Sequence, residues 1–273
     1  MKLKGILYLL GIWRPRTKTY GFRVTESYLP ACGKIRFAQW LHPRQGIVEI
    51  KQETVDELKR YLRDGDVALD IGAHSGDTTV PMAIACGRSG MVFALEPNRY
   101  IFPVLEENAR LIEEYGTIVP LNFAAAENDG KIIFEYSDEG FCNGGLHKGI
   151  GVLQHGHFFK LEVDQKNLIA FLNSSYREAM KRIRFIKTDC EGYDLYVIKS
   201  LLPLISENRP YLKIEVHKNT TGDYRKELFG LLTDYGYDIF LHASDSHMKG
   251  GRLELNAMLA SEHYDIFCIH QHD

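Results

Sequence analysis

Two short runs carry acids and bases at a spacing of two. Asp189 and Glu191 follow Lys187 in FIKTDCEGYD, and Glu215 and His217 follow Lys213 in YLKIEVHK. Both runs have an apolar strand-like frame that ends in titratable side chains. Side chains alternate along an extended chain, so each trio faces one side of a sheet. Such groups can take the proton of an alcohol, and a positioned base typically adds roughly 10²–10⁴-fold to a rate. Asp189 and His217 are the leading candidate catalytic residues, with Glu191 next. Asp189 has a second reading as a hard oxygen ligand to a metal shared with a substrate oxygen. Only carboxylates at one strand end speak for that, so the expected site holds no metal. Lysines deep in strands need partners; Lys187 with Glu215, or Lys213 with Asp189, would neutralise the cluster. The plainer alternative is an ion-pair network without catalysis. Asp194 is placed to open the next helix, where a carboxylate suits the N-terminal dipole.

A second motif is VALDIGAHSGD, Val67 to Asp77. Asp70 sits near the end of an apolar strand. Gly72 and Gly76 allow a tight turn and close approach to a ligand. The helix that follows offers its first amides to an anionic group. Glu96 closes the next strand, where an acid can bond a ribose diol. Ala73 and His74 break the GxGxxG spacing of a pyrophosphate loop. A nucleoside ligand without a pyrophosphate therefore fits better than a dinucleotide, and a dinucleotide-dependent oxidoreductase becomes the competing reading.

Elements must position these residues. Strands read at 67–71, 91–95, 118–123, 184–188, 211–216, 238–242 and 264–270, with a hairpin-like segment near 131–136. Helices read at 54–62, 78–86, 101–115, 167–179, 195–202 and 224–235. Strands alternating with helices imply a largely parallel sheet covered on both faces. Ligands bind such sheets beyond the C-terminal strand ends, where the strand order reverses. FRVTESYL and KIRFAQWL have strand-like content, with Pro30 and Gly33 marking a turn. Residues 140–156, rich in Gly and His, read as a loop; His155 and His157 have a metal-capable spacing, but a mobile cap over the site is the favoured reading.

The 273 residues suit one large α/β domain with a small extension, and 45% hydrophobic residues suffice for a sizeable core. A net charge of −3 with interspersed signs argues against a general nucleic-acid binder. Cys32, Cys86, Cys142, Cys190 and Cys268 are odd in number and widely spaced, which reads as reduced thiols in a cytoplasmic protein. The apolar run in MKLKGILYLLGIW is too short to span a bilayer, and no small-residue cleavage site follows it. It reads as a packing helix; the alternative is an interfacial anchor over residues 1–18, with Lys2, Lys4, Arg14, Arg16 and Lys18 facing anionic lipid.

LDIGAHSGD, ALEPN, NFAAAENDG and FIKTDCEGYDLYVIKSL, in that order and followed by LKIEVH, resemble the FkbM-type S-adenosylmethionine-dependent methyltransferases. The resemblance covers roughly Asp64 to Lys218. It implies an α/β, doubly wound, mostly parallel, seven-stranded Rossmann-like methyltransferase sheet. Residues 1–63 would be an N-terminal extension, a candidate substrate cap or oligomer contact, and residues 64–273 the class I methyltransferase domain. It further implies that Asp70 and the backbone of Gly72, Ala73, His74 and Ser75, with Gly76 completing the turn, hold the methionine end of S-adenosyl-L-methionine. Glu96 would take the ribose hydroxyls, Pro97 and Asn98 would flank ribose and adenine, and Asn122, Ala124 and Ala125 would lie near the adenine. His74 departs from the family, where Asn is usual, and implies altered contacts. The implied reaction is O-methylation of a sugar, glycan or similar small acceptor, with N-methylation of a small molecule as an alternative.

Overall fold

The computed structural model describes residues 17–136, 138–142, 144–145, 159–260 and 262–272. In chain order, a hairpin of β1 (Phe22–Leu29) and β2 (Gly33–Trp40) leads to helix α1 (Gln52–Leu58). Then come β3 (Val67–Ile71), α2 (Thr79–Cys86), β4 (Met91–Leu95), α3 (Phe102–Leu111) and β5 (Thr117–Leu121). Short strands β6 (Ala124–Ala126), β7 (Gly130–Tyr136), β8 (Gly144–Gly145) and β9 (Phe159–Asn167) follow, with helices α4 (Leu168–Ser175) and α5 (Arg177–Met180). The last third holds β10 (Ile183–Thr188), α6 (Asp194–Ser200), α7 (Leu202–Asn208), β11 (Tyr211–Val216) and α8 (Gly222–Asp234). It closes with β12 (Tyr237–Ser244), β13 (His247–Arg252), α9 (Leu255–Ala260) and β14 (Tyr264–His270).

The central sheet has eight strands in the order β13-β12-β14-β11-β10-β3-β4-β5, one more than the seven expected. The extra strand is β13, which turns back from β12 through Asp245 and Ser246. Five strands, β11 to β5 in that order, are mutually parallel, and the β14, β12 and β13 pairings are antiparallel. Period-two alternation divides the core between two faces. Val67, Leu69 and Ile71 join one cluster with Leu172, Leu195 and Leu228 from α4, α6 and α8. Ala68, Val92 and Ala94 join the other with Val55, Ala83 and Leu105 from α1, α2 and α3.

The chain runs outward through β3, β4 and β5, then returns to place β10 on the other side of β3. The strand order therefore reverses between β3 and β10, and a crevice opens beyond their C-terminal ends. A second sheet, in the order β6-β9-β7-β8, stands beside that crevice. Its long strand β9 alternates buried Phe159, Leu161 and Val163 with exposed Lys160, Glu162 and Asp164, a pattern legible in the sequence but absent from the elements read there.

The described part of the extension packs into the domain. Leu29, Phe37, Val55 and Leu62 share the core of α2 and α3. The buried Asn108 side chain of α3 accepts from the Ala38 N–H at 2.6 Å and donates to the Ala38 carbonyl at 3.1 Å, which ties β2 to the domain. Glu57 of α1 accepts from the Met248 N–H of β13. No helix among the described residues is long and apolar enough to cross a membrane. The 1–16 segment, with its packing and lipid-facing readings, and the His155–His157 pair lie outside the described residues.

Candidate active site

A cavity occupies the crevice. Its walls come from three strand ends and the start of a fourth strand. Ile71 ends β3 and Gly72 follows it, Leu95 ends β4 and Glu96 and Pro97 follow it, Ala124 and Ala125 open β6, and Asp189 to Glu191 follow β10. Phe134 and Tyr136 of β7, with Phe123, Tyr193 and Val197, complete it. One side is thus apolar and partly aromatic, and the other is acidic.

Gly72 is the hinge of this arrangement. Its φ is +80°, and a Cβ there would lie 2.0 Å from the backbone oxygen of Asp189. A side chain would force β3 and β10 apart just where the cavity begins. Gly72 and Ala73 donate their N–H groups to the Leu95 carbonyl at 3.0 and 2.9 Å, binding the loop to β4. His74 adopts φ +50° and donates its N–H to Glu96 at 2.9 Å. Burial holds its imidazole below the ordinary pKa. Ser75 is buried, its carbonyl accepts from Asn108, and Gly76 closes the turn on the Ala73 carbonyl. The 73–76 backbone therefore shapes the loop behind the cavity wall, while Gly72 alone of this loop lines it.

Glu96 faces the cavity and is 7% exposed. One carboxylate oxygen accepts from the His74 N–H and the other from the Asn98 N–H. Each retains a lone pair for a hydroxyl donor. Burial pushes its pKa up to about 7, although the two N–H donors favour the ionised form. Asn98 turns away to donate to the Phe141 carbonyl at 2.6 Å, and Asn122 donates to the Glu96 carbonyl. Both support the wall rather than line it, whereas Pro97, Ala124 and Ala125 do line it.

Asp70 is fully buried and does not line the cavity. It accepts from the Thr78 and Thr79 hydroxyls at 2.7 and 2.6 Å and pairs with Lys187 Nζ at 3.2 Å. The strand register explains the last contact, because Lys187 stands opposite Asp70 on β3. Lys187 also donates to the Gly72 carbonyl at 2.8 Å and reaches Asp189 at 3.7 Å. Burial pulls its pKa down, but the Asp70 and Asp189 charges more than offset this and keep it protonated.

The expected Lys187–Glu215 and Lys213–Asp189 pairs do not form. Register places Lys187 directly opposite Lys213, and two like charges side by side turn toward different acids. Lys213 pairs with Asp245 at 2.8 Å and Asp265 at 3.5 Å. The two trios are also not continuous ladders, because β10 ends at Thr188 and Glu191 sits in a left-handed turn with φ +54°. Asp194 does open α6; it is fully buried and accepts from the Cys190 and Gly192 N–H groups.

Asp189 and Glu191 both face the cavity, and His217 stands behind Glu191, its Nε2 3.3 Å from that carboxylate. Burial, followed by the nearby Asp189 charge, raises the Glu191 pKa. Burial and neighbouring acids, Asp189 first, push Glu215 up to about 10. Cys190 lines the cavity as a thiol whose pKa burial raises well above the usual value, so it is no ready nucleophile.

The model for the methyltransferase FkbM domain matches residues 70–239, more than half of the chain. The chain belongs to the FkbM methyltransferase family. Comparison with curated proteins yields no match. Among solved structures, the FkbM methyltransferase from Methylobacillus flagellatus KT is similar with a TM-score of 0.45 and 18% identity, over 75% of this chain and 44% of that one. This chain thus spans less than half the length of that FkbM relative. Aeropyrum pernix fibrillarin, solved with natively bound S-adenosyl-L-methionine, is similar with a TM-score of 0.43 and 14% identity, over 93% and 95% of the two chains. TYW2 from M. jannaschii, solved in complex with AdoMet, gives 0.42 and 13% over 92% and 85%.

The FkbM domain also holds parts that the motifs do not announce. Phe134 and Tyr136 reach the cavity from β7, and their alternate positions on a strand were the available signal. The extension brings Trp40 to the edge of His74 at 5.7 Å and stacks His42 on Trp40 at 4.7 Å. His42 in turn bonds the buried Asp138 at 2.9 Å, with burial lowering the His42 pKa.

Proposed function

We propose that this protein transfers a methyl group from S-adenosyl-L-methionine to a hydroxyl of a sugar, glycan or similar small acceptor. The observation that carries the reading is Glu96. It is a buried carboxylate in the cavity wall whose two oxygens are held by the His74 and Asn98 N–H groups and keep lone pairs for a vicinal diol. The rest of the donor set fits the same ligand. Phe123, Phe134, Ala124 and Ala125 form an apolar wall for a flat base. Asp189 and Glu191 present negative charge where a sulfonium and an ammonium would sit.

The bound cofactor supplies an electrophilic methyl on a positively charged sulfur. The chain supplies position and proton removal. Gly72 lets β3 and β10 close around the reaction centre, and alignment of that kind contributes up to about 7–11 kcal/mol. Glu191 takes the acceptor proton, because it faces the cavity and its raised pKa makes it a better base than an ordinary carboxylate. His217 orients Glu191 from behind, and Lys187 holds Asp189 beside the place of the cofactor charge. Asp70 acts at one remove, fixing Lys187 and the first turn of α2.

Calorimetry tests the reading. The wild type is expected to bind S-adenosyl-L-methionine, and Glu96→Ala to weaken it by about ten- to a hundredfold, the worth of hydrogen bonds to a charged group. NADH binding in place of S-adenosyl-L-methionine would point to the oxidoreductase reading instead. Mass spectrometry of hydroxylated and amine acceptors after incubation separates O- from N-methylation.

A further inference from the structure

Beside the cavity, on the β14 side, three metal-capable side chains converge. Glu215 and His217 lie two residues apart at the end of β11, so an extended backbone directs both to the same side. β14 runs antiparallel to β11 with Glu215 opposite Asp265 and Val216 opposite Tyr264. The next step of that register sets His263 against His217, and their rings meet at 5.6 Å. The ligand atoms of Glu215, His217 and His263 all lie within 4.8 Å of one another.

Two independent features distinguish this cluster from a chance gathering. First, Glu215 is 5% exposed and its Oε2 has no hydrogen-bond partner among the described residues. Such an atom is costly to leave unmet, and His263 Nδ1 lies 3.8 Å from its other oxygen. The adjacent lysine does not reach it, because Lys213 is taken by Asp245 and Asp265. Second, the backbone on both sides is pinned by one buried guanidinium. Arg225 donates to the His217 carbonyl at 3.4 Å and to the Glu262 carbonyl at 2.6 Å, which fixes the segments that carry His217 and His263 relative to each other. Its other nitrogens hold the Thr220 hydroxyl and the Met258 carbonyl. Supporting residues of this kind are what hold a binding constellation in place.

We propose that Glu215, His217 and His263 form a binding site for one divalent first-row transition ion at the acceptor side of the cavity. Two imidazoles with one carboxylate select such an ion over magnesium or calcium, which prefer all-oxygen shells. Ligand bonds of about 2.0–2.2 Å require the three side chains to draw together by on the order of an ångström, and the half-exposed His263 is the one with room to move. To ligate the ion, His217 gives up either its Nε2 contact with Glu191 or the Asn219 N–H that its Nδ1 accepts at 3.3 Å, and the first leaves Glu191, in the cavity wall, beside the ion. The ion's role there, holding and polarising the acceptor oxygen, rests on the methyl-transfer reading; the site itself does not.

The test uses the full chain without a histidine tag, stripped with EDTA and titrated with Zn²⁺ and with Mn²⁺ by calorimetry. Metal content is then measured after gel filtration. The expected result is one ion per chain with Zn²⁺ or Mn²⁺, and at least tenfold weaker binding in both His263→Ala and Glu215→Gln. Because His263 is half-exposed, its removal leaves the fold in place. Wild-type protein that retains neither ion, or His263→Ala that binds as the wild type does, overturns the site. S-adenosyl-L-methionine binding, followed in parallel, reports separately on the methyl-transfer reading.

Discussion

The two sides of the polar rim handle buried carboxylates differently. On the β3 side, Asp70 is met by two hydroxyls and an ammonium, and Lys187 is met by Asp70, Asp189 and the Gly72 carbonyl. On the β11 side, Glu215 is equally buried but keeps an unpartnered oxygen, and Lys213 leans away toward Asp245 and Asp265. The first side is a network in which one ammonium is shared by two carboxylates, and Asp70 Oδ1 is met by that ion pair alone. The second stays open toward whatever binds there. Closed networks set position and open ones receive ligands, since a buried group without a partner is costly until something meets it.

The largest expected effect breaks the closed side. Lys187→Met leaves Asp70 buried and uncompensated and should lower stability by about 3–5 kcal/mol. Lys213→Met strands only acids that water can reach, because the Asp245 side chain is 54% exposed, and should cost about 1 kcal/mol. Urea unfolding of both variants decides this, and equal losses would erase the proposed difference between the two sides.

A pH series sharpens the contrast further. Burial, reinforced by the Asp189 charge, pushes Asp194 up to about 7 from an ordinary value of 3.8. For a carboxyl raised on folding, stability is greatest below the unfolded value and is lost as pH climbs through the folded one. Between pH 4 and 7 the wild type should therefore lose ground to Asp194→Asn, by at most about 1.4 kcal/mol per pH unit, and the gap should level off above that window. Asn also gives up one of the two N–H acceptors, a fixed cost of about 1 kcal/mol. A gap that stays constant from pH 4 to 8 would show that Asp194 does not titrate there.

The smallest effect belongs to His263. In metal-free protein, His263→Ala should change stability by less than about 0.5 kcal/mol, as surface substitutions do. A loss of several kcal/mol in the same unfolding assay would make it a structural member of the rim, not a ligand waiting on the open side.

Much of this architecture follows from local patterns. The apolar strands at 67–71, 91–95 and 211–216, the glycine turn, Glu96 at a strand end and Asp194 at a helix start are all legible from spacing, because each depends on neighbours within a few residues. Even β9 is legible by its alternation, although it follows a run that reads as loop. Pairing across the sheet is another matter. Which acid meets Lys187 depends on β10 lying in register with both β3 and β11, and this register puts the two lysines side by side. His263 opposes His217 only because β14 runs antiparallel to β11, and Phe134 and Tyr136 reach the cavity only because a second sheet stands beside the first. The sequence by itself determined the strands, the turn that admits a ligand and the acid that faces it, since period and steric freedom are properties of short segments. The tertiary structure alone decided which charges pair and which stay open, since that depends on distances between segments far apart in the chain.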